Sequence, residues 1–156
     1  MPEYQITTKK VEPQTVASIR AVIPNYSAVG ELFGEIFGYT GSRGAKLVGP
    51  TFFICHDLEF KEKDVDMEVG FPIDQAIPGA GRLKVYELPG MEEAACTVYK
   101  GRYEDIGEAY NAIVSWAESN GYQINGPSRE LYLVSPADTT DPSQYVTEVQ
   151  FPVAKA

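Results

Sequence analysis

The chain of 156 residues predicts an α+β fold: tandem strand-helix-strand-strand repeats with pseudo-twofold symmetry, forming an antiparallel sheet with two helices on one face. Three observations point there. Segments 26–36 (YSAVGELFGEI) and 103–113 (YEDIGEAYNAI) match at an offset of 77, with Tyr, Gly, Glu and Ile in place, Val29 against Ile106 and Phe33 against Tyr110. At the same offset Gly49-Pro50 meets Gly126-Pro127, and Tyr39 meets Trp116. Segment 66–73 (DMEVGFPI) then resembles 146–153 (VTEVQFPV) at an offset of 80, the three extra residues falling in the intervening loop. Self-similarity at a fixed period marks repeated units. The expected organisation is one domain over 1–156, with repeat one about 1–78 and repeat two about 79–156.

Each element has its own justification. TVASIRAVI (15–23) and EAACTVYKG (93–101) are rich in β-branched or small residues and bounded by proline or glycine, which makes them strands. In the second copy Ile106, Ala109, Tyr110, Ile113 and Ala117 recur at helical spacing and mark one apolar face, which Gly121 ends after Asn120. The first-copy helix carries Gly30, Gly34 and Gly38, each costing about 1 kcal/mol against alanine, so packing must hold it. The glycines of GYTGSRG (38–44) read as a mobile loop, since they lack the lysine and setting of a phosphate cradle. After each Gly-Pro come two further strand-like runs, TFFICHDL with VDMEVGFPI, and RELYLVS with YVTEVQFPV. The charged stretch DLEFKEKDVDME (57–68) reads as a solvated connection.

Two such units each bury one sheet face under a helix, and pairing their strands enlarges the core and removes open edges. A groove between the two helices is then the expected ligand site.

Composition bounds the function. With 44% hydrophobic residues a domain of this length buries roughly 68 to 70% of its unfolded surface, enough for a core and a pocket. A net charge of −9 repels phosphate backbones, so direct nucleic-acid binding is not expected, whereas cationic partners are favoured. The N-terminus MPEYQITTKK has no apolar leader, and no run approaches the roughly 18 apolar residues of a membrane span. The expectation is a cytoplasmic protein without membrane contact. Asn25-Tyr26-Ser27 is a glycosylation sequon without meaning in that compartment. Cys55 and Cys96 fall in strand-like runs and read as small buried hydrophobes.

His56 is the sole histidine, so any nucleophilic triad would need it; Asp57 beside it would point to the other side of a strand, and no G-x-S-x-G occurs. Neither C-x-x-C nor H-E-x-x-H is present, and the expectation is no metal and no cofactor.

Glu130 stands out instead. It lies near the start of a strand-like run built for burial, and its counterpart at the offset of 77 is the aromatic Phe53. An ion pair with Arg129 is one explanation, weakened because adjacent strand residues face opposite ways. The other is a carboxylate lining a cavity, whose pKa burial would raise until a cation completes it.

The doubled unit, the segment GPSRELYL (126–133) and the closing YVTEVQFPV (145–153) together resemble the GyrI-like domains, the effector-binding domains of bacterial transcription activators, over essentially the whole chain. The resemblance implies an aromatic cavity between the units with a buried glutamate, which maps onto Glu130. It further implies capture of hydrophobic, often cationic, compounds. Nothing remains over for a helix-turn-helix, so sensing or sequestration by a standalone domain is expected, and transcriptional control would require a protein partner.

The candidate ligand-binding residues are Glu130, Tyr132 on its strand face, Tyr110 and Trp116 on the two flanks of the helix, Phe53 facing Glu130 under the pseudo-twofold, and Tyr145 near the last strand's start. Aromatic faces attract cations by about 0.5 to 2 kcal/mol each. Two other readings use the same chain: a hydrolase of strained, cyclopropane-bearing toxins in which Glu130 is the catalytic base with Tyr132 as partner, and a protein-interaction module such as a gyrase inhibitor.

Overall fold

The computed structural model describes residues 4–24, 28–56, 64–136 and 138–156. The sequon at 25–27, Asp57 and most of the charged connection lie outside these residues. Nine strands and two α-helices run in the order β1 (Thr7–Val11), β2 (Gln14–Ile23), α1 (Val29–Ser42), β3 (Thr51–Cys55), β4 (Val65–Pro72), β5 (Leu83–Leu88), β6 (Met91–Lys100), α2 (Gly107–Ser119), β7 (Tyr122–Ile124), β8 (Arg129–Val134) and β9 (Val146–Lys155), counted among the described residues. The fold is α+β, and the strand ladders within each unit described below are antiparallel.

The chain divides into two compact units, Pro13–Gly90 and Met91–Ala156 with the segment ending at Glu12. In the first, the strand order is β3-β4-β2-β5. Leu32, Ile36 and Thr40 of α1 are buried, and the helix packs on β2 and β4. In the second, the order is β1-β6-β9-β8, with β7 pairing the end of β9. Ala109, Ile113 and Ala117 of α2 are its buried residues. These are the same three positions at the offset of 77. Ala109 and Ile113 cluster with Ala95, Tyr99, Val149, Phe151 and Val153 from the sheet.

Three of the described strands, β1, β5 and the short β7, escape the strand-helix-strand-strand reading. β1 and β5 lead their repeats, but β1 pairs with β6 and β5 with β2, so each leading strand joins the ladder of the other repeat and lies in that ladder's compact unit. β1 (TTKKV) is polar and nearly all exposed, an edge strand with no apolar alternation.

The expectation of a mobile loop at 38–44 is corrected. α1 continues through Ser42, and Gly44 at φ 74° closes it as Gly121, also at φ 74°, closes α2. That conformation costs any other residue steric strain, and it satisfies the last helix carbonyls. Burial of Ile36 and Thr40 outweighs the helix-breaking tendency of the glycines.

Cys55 and Cys96 are not joined in a disulfide, and burial pushes the Cys96 thiol up to about 11, which leaves it unreactive. Among the described residues no helix is long and apolar enough to cross a membrane.

Candidate functional site: a half-buried carboxylate among tyrosines

β8 and β9 run antiparallel with Glu130 opposite Val149 and Tyr132 opposite Thr147. Val149 lies in the cluster under α2, so Glu130 and Tyr132 face the helix. Strand alternation thus sends the carboxylate towards the apolar side and Arg129 to the other. One turn of α2 supplies Tyr110, whose ring stands edge-on to Phe151 at 5.5 Å.

The Glu130 carboxylate accepts two phenol hydrogen bonds, Tyr110 OH to Oε2 and Tyr132 OH to Oε1, the latter at 3.1 Å. Burial pushes its carboxyl above the ordinary value, and only the two phenol bonds work in the other direction. Among the described residues no lysine, arginine or histidine favours the ionised form. Tyr132 is held well above its usual range by burial, then by the neighbouring Glu130 and Tyr110, so it stays a donor.

The aromatic wall continues outward. The Tyr103 ring meets Tyr132 edge-on at 5.6 Å and stacks on Tyr145 at 5.0 Å. Burial, followed by Tyr145 and Glu130, pushes the Tyr103 phenol up to about 12. Tyr103 and Tyr145 line a cavity of about 510 Å³ that also meets Pro136, Pro142, Asp141 and Arg102. A volume of this order accommodates a small molecule.

The structure therefore brings Glu130, Tyr132 and Tyr110 into direct contact and reaches Tyr145 through Tyr103. Trp116 goes elsewhere: it stacks at 5.1 Å on Tyr122, which also meets Lys155 Nζ, 4.6 Å from the ring centre, and donates to Glu93 Oε2 at 3.2 Å. Six residues beyond Tyr110, it lies on the other flank of α2. Phe53 belongs to the unit Pro13–Gly90, where it is 6% exposed and pairs with Val69. Its register matches that of Glu130 with Val149, as the repeat implies. Tyr103 was missed because it sits in a short 3-10 turn, Tyr103–Asp105, where no periodicity selects it.

A second enclosed carboxylate, Glu68 on β4, also escaped the sequence reading. Its Oε2 accepts from Ser18 Oγ at 2.7 Å and from Tyr86 OH, and its Oε1 lies 3.0 Å from His56 Nε2. Burial raises its carboxyl, but the three hydrogen bonds and the charge of His56 outweigh it, and the net shift is downward. Gly70 makes room for this arrangement, since a Cβ there would lie 2.7 Å from Ser18 Cβ. The glutamate stands between serine and histidine, so Ser18 and His56 form no triad. Among the described residues no cluster of His, Cys, Asp and Glu could hold a metal.

The comparisons with known proteins agree with this architecture. The crystal structure of the EcmrR C-terminal domain superposes with a TM-score of 0.91 at 28% identity, covering 99% of this chain and 100% of that one. The EcmrR chain in a cryo-EM structure of an EcmrR–DNA complex gives a TM-score of 0.91 at 29% identity over 98% of this chain, which spans 58% of that chain's length. A hydrolase encoded by lin2189 from Listeria innocua shares the fold at a TM-score of 0.70 and 13% identity, over 98% of this chain and 93% of that one. No curated protein matches the sequence. The family model of the GyrI-like small molecule binding domain matches residues 4–154, and the chain belongs to that family.

Proposed function

We propose that this domain captures amphipathic cations, aromatic ones above all, at the Glu130 site, for sensing or sequestration. The observation that carries the reading is a half-buried carboxylate among aromatic rings whose only hydrogen-bond donors, among the described residues, are the neutral phenols of Tyr110 and Tyr132. An ionised carboxylate in such surroundings lacks a counter-charge, and a cationic ligand supplies it. The stacked faces of Tyr103 and Tyr145, and the edge of Tyr132, offer the flat apolar surface that an aromatic cation requires. Similarity to the C-terminal domain of EcmrR, a protein found in a complex with DNA, supports a sensing role exercised through a regulatory protein.

The test is calorimetric titration of the domain with a cationic rhodamine dye and with a neutral analogue of the same ring system. Wild type binds the cation more tightly, the Glu130→Gln variant loses that preference, and mass spectrometry recovers the dye unchanged. Equal affinity of wild type for both dyes sinks the reading. Recovery of a water adduct from a cyclopropane-bearing probe, formed by wild type and not by Glu130→Gln, would favour hydrolysis over capture.

A further inference from the structure

Among the described residues, the one buried side-chain nitrogen or oxygen without a hydrogen-bond partner is Thr147 Oγ1. Thr147 is 0% exposed, in the middle of the second unit's sheet. Its register places it opposite Tyr99 on β6 and opposite Tyr132 on β8. Paired residues of an antiparallel ladder share a face, so Thr147 lies on the α2 side with Tyr132 and Glu130. Tyr132 in turn meets Tyr103, and Tyr103 meets Tyr145. The orphaned hydroxyl thus falls beside the aromatic box that leads to Glu130.

A buried hydroxyl that makes no hydrogen bond destabilises the fold, and valine would fill the same space without that cost. Violations of this kind concentrate at functional sites. Glu130 and Thr147 are diagonal neighbours across the ladder, a separation of about 7 to 8 Å between Cα atoms. A small cationic head group spans that distance. The Tyr110 and Tyr132 hydroxyls already donate to Glu130. What the box lacks is a donor for Thr147 and a positive charge for Glu130.

We infer that Thr147 is a specificity-determining residue that accepts an N–H from the ligand's head group, so that the site prefers protonated amines and amidines to quaternary cations. This rests on the reading that Glu130 binds a cation. Tyr103 lines both the cavity and the box and so joins the two.

The experiment compares 4-phenylbenzylamine with its N,N,N-trimethyl analogue by calorimetry at neutral pH, on wild type, Thr147→Val, Thr147→Ser and Glu130→Gln. Wild type and Thr147→Ser are expected to prefer the amine. Thr147→Val should weaken amine binding about ten- to a hundredfold, the loss of one hydrogen bond to a charged donor, and leave the quaternary cation within about twofold. The same variant, relieved of the orphaned hydroxyl, should melt about 2 to 4 °C higher without ligand. Equal binding of both probes by wild type, or equal loss of both in Thr147→Val, overturns the inference. If Glu130→Gln weakens both probes while Thr147→Val moves neither, the inference falls and the charge reading stands. Indifference of both probes to Glu130→Gln overturns the reading itself.

Discussion

Replacing Tyr110 by phenylalanine isolates the interaction on which the site depends. The ring stays against Phe151, where its edge-on contact does not involve the hydroxyl. What disappears is the hydrogen bond to Glu130 Oε2. A hydrogen bond to a charged group contributes about 1.5 to 3 kcal/mol. For a domain of this size each kcal/mol moves the melting temperature by about 2 to 4 °C, so the variant should melt roughly 3 to 12 °C lower near neutral pH. The pH dependence has a definite sign. Glu130 already has a raised carboxyl, because burial outweighs the two phenol bonds. An acid whose folded value lies above its unfolded value holds its proton more tightly in the native state. Its contribution is therefore greatest below the unfolded carboxylate range, about 4.3, and is lost as pH rises through the folded value. Removing one of the two bonds raises the carboxyl further, so Tyr110→Phe should be more destabilising at pH 8 than at pH 5. Scanning calorimetry on wild type, Tyr110→Phe, Glu130→Gln and the double variant closes a thermodynamic cycle. Strictly additive losses, or a Tyr110→Phe effect independent of pH, would refute the proposed bond.

Other outcomes are equally specific. Glu68 has a lowered carboxyl and three donors, so its stabilisation is present above about pH 4.3 and fades as pH falls through the folded value; in acid urea titrations wild type should lose stability that Glu68→Gln never had. Ile113→Ala should cost about 2 to 5 kcal/mol by urea unfolding, and Ile36→Ala a similar amount, because both are fully buried at equivalent helix positions. Gly44→Ala and Gly121→Ala each place a side chain at φ 74° and should cost about 1 to 2 kcal/mol in the same assay.

The repeat was readable because its signals are local and doubled. The buried helix triplets Leu32, Ile36, Thr40 and Ala109, Ile113, Ala117 sit at the offset found between Tyr26 and Tyr103. Leading strands escaped because TTKKV is solvent-exposed and takes its strand form from its partner β6, a tertiary influence that a window of sequence does not contain. The glycines of α1 misled for a related reason: propensity is a weak prior beside the burial of Ile36. In the site, strand alternation was enough to associate Tyr132 with Glu130, and helix periodicity brought Tyr110 into consideration together with Trp116. Periodicity could not say which flank of α2 meets the carboxylate. Tyr103 was visible only as the repeat partner of Tyr26, with no helix or strand periodicity to aim it at the site, and Thr147 is distinguished only by the missing partner of its hydroxyl. Glu68 was passed over because it closes the charged run 57–68, which reads as a solvated connection, whereas Ser18, His56 and Tyr86 converge on it from three other segments.

The carbon resonance of the Glu130 carboxyl, followed by NMR through a pH titration of the free and the dye-bound domain, measures the state of the charge at the site's centre. An uncompensated carboxylate should titrate above the ordinary range of about 4.3 in the free protein, then fall towards or below it once a cationic dye is bound. An ordinary midpoint in the free domain, or one that the cation leaves in place, would contradict the account.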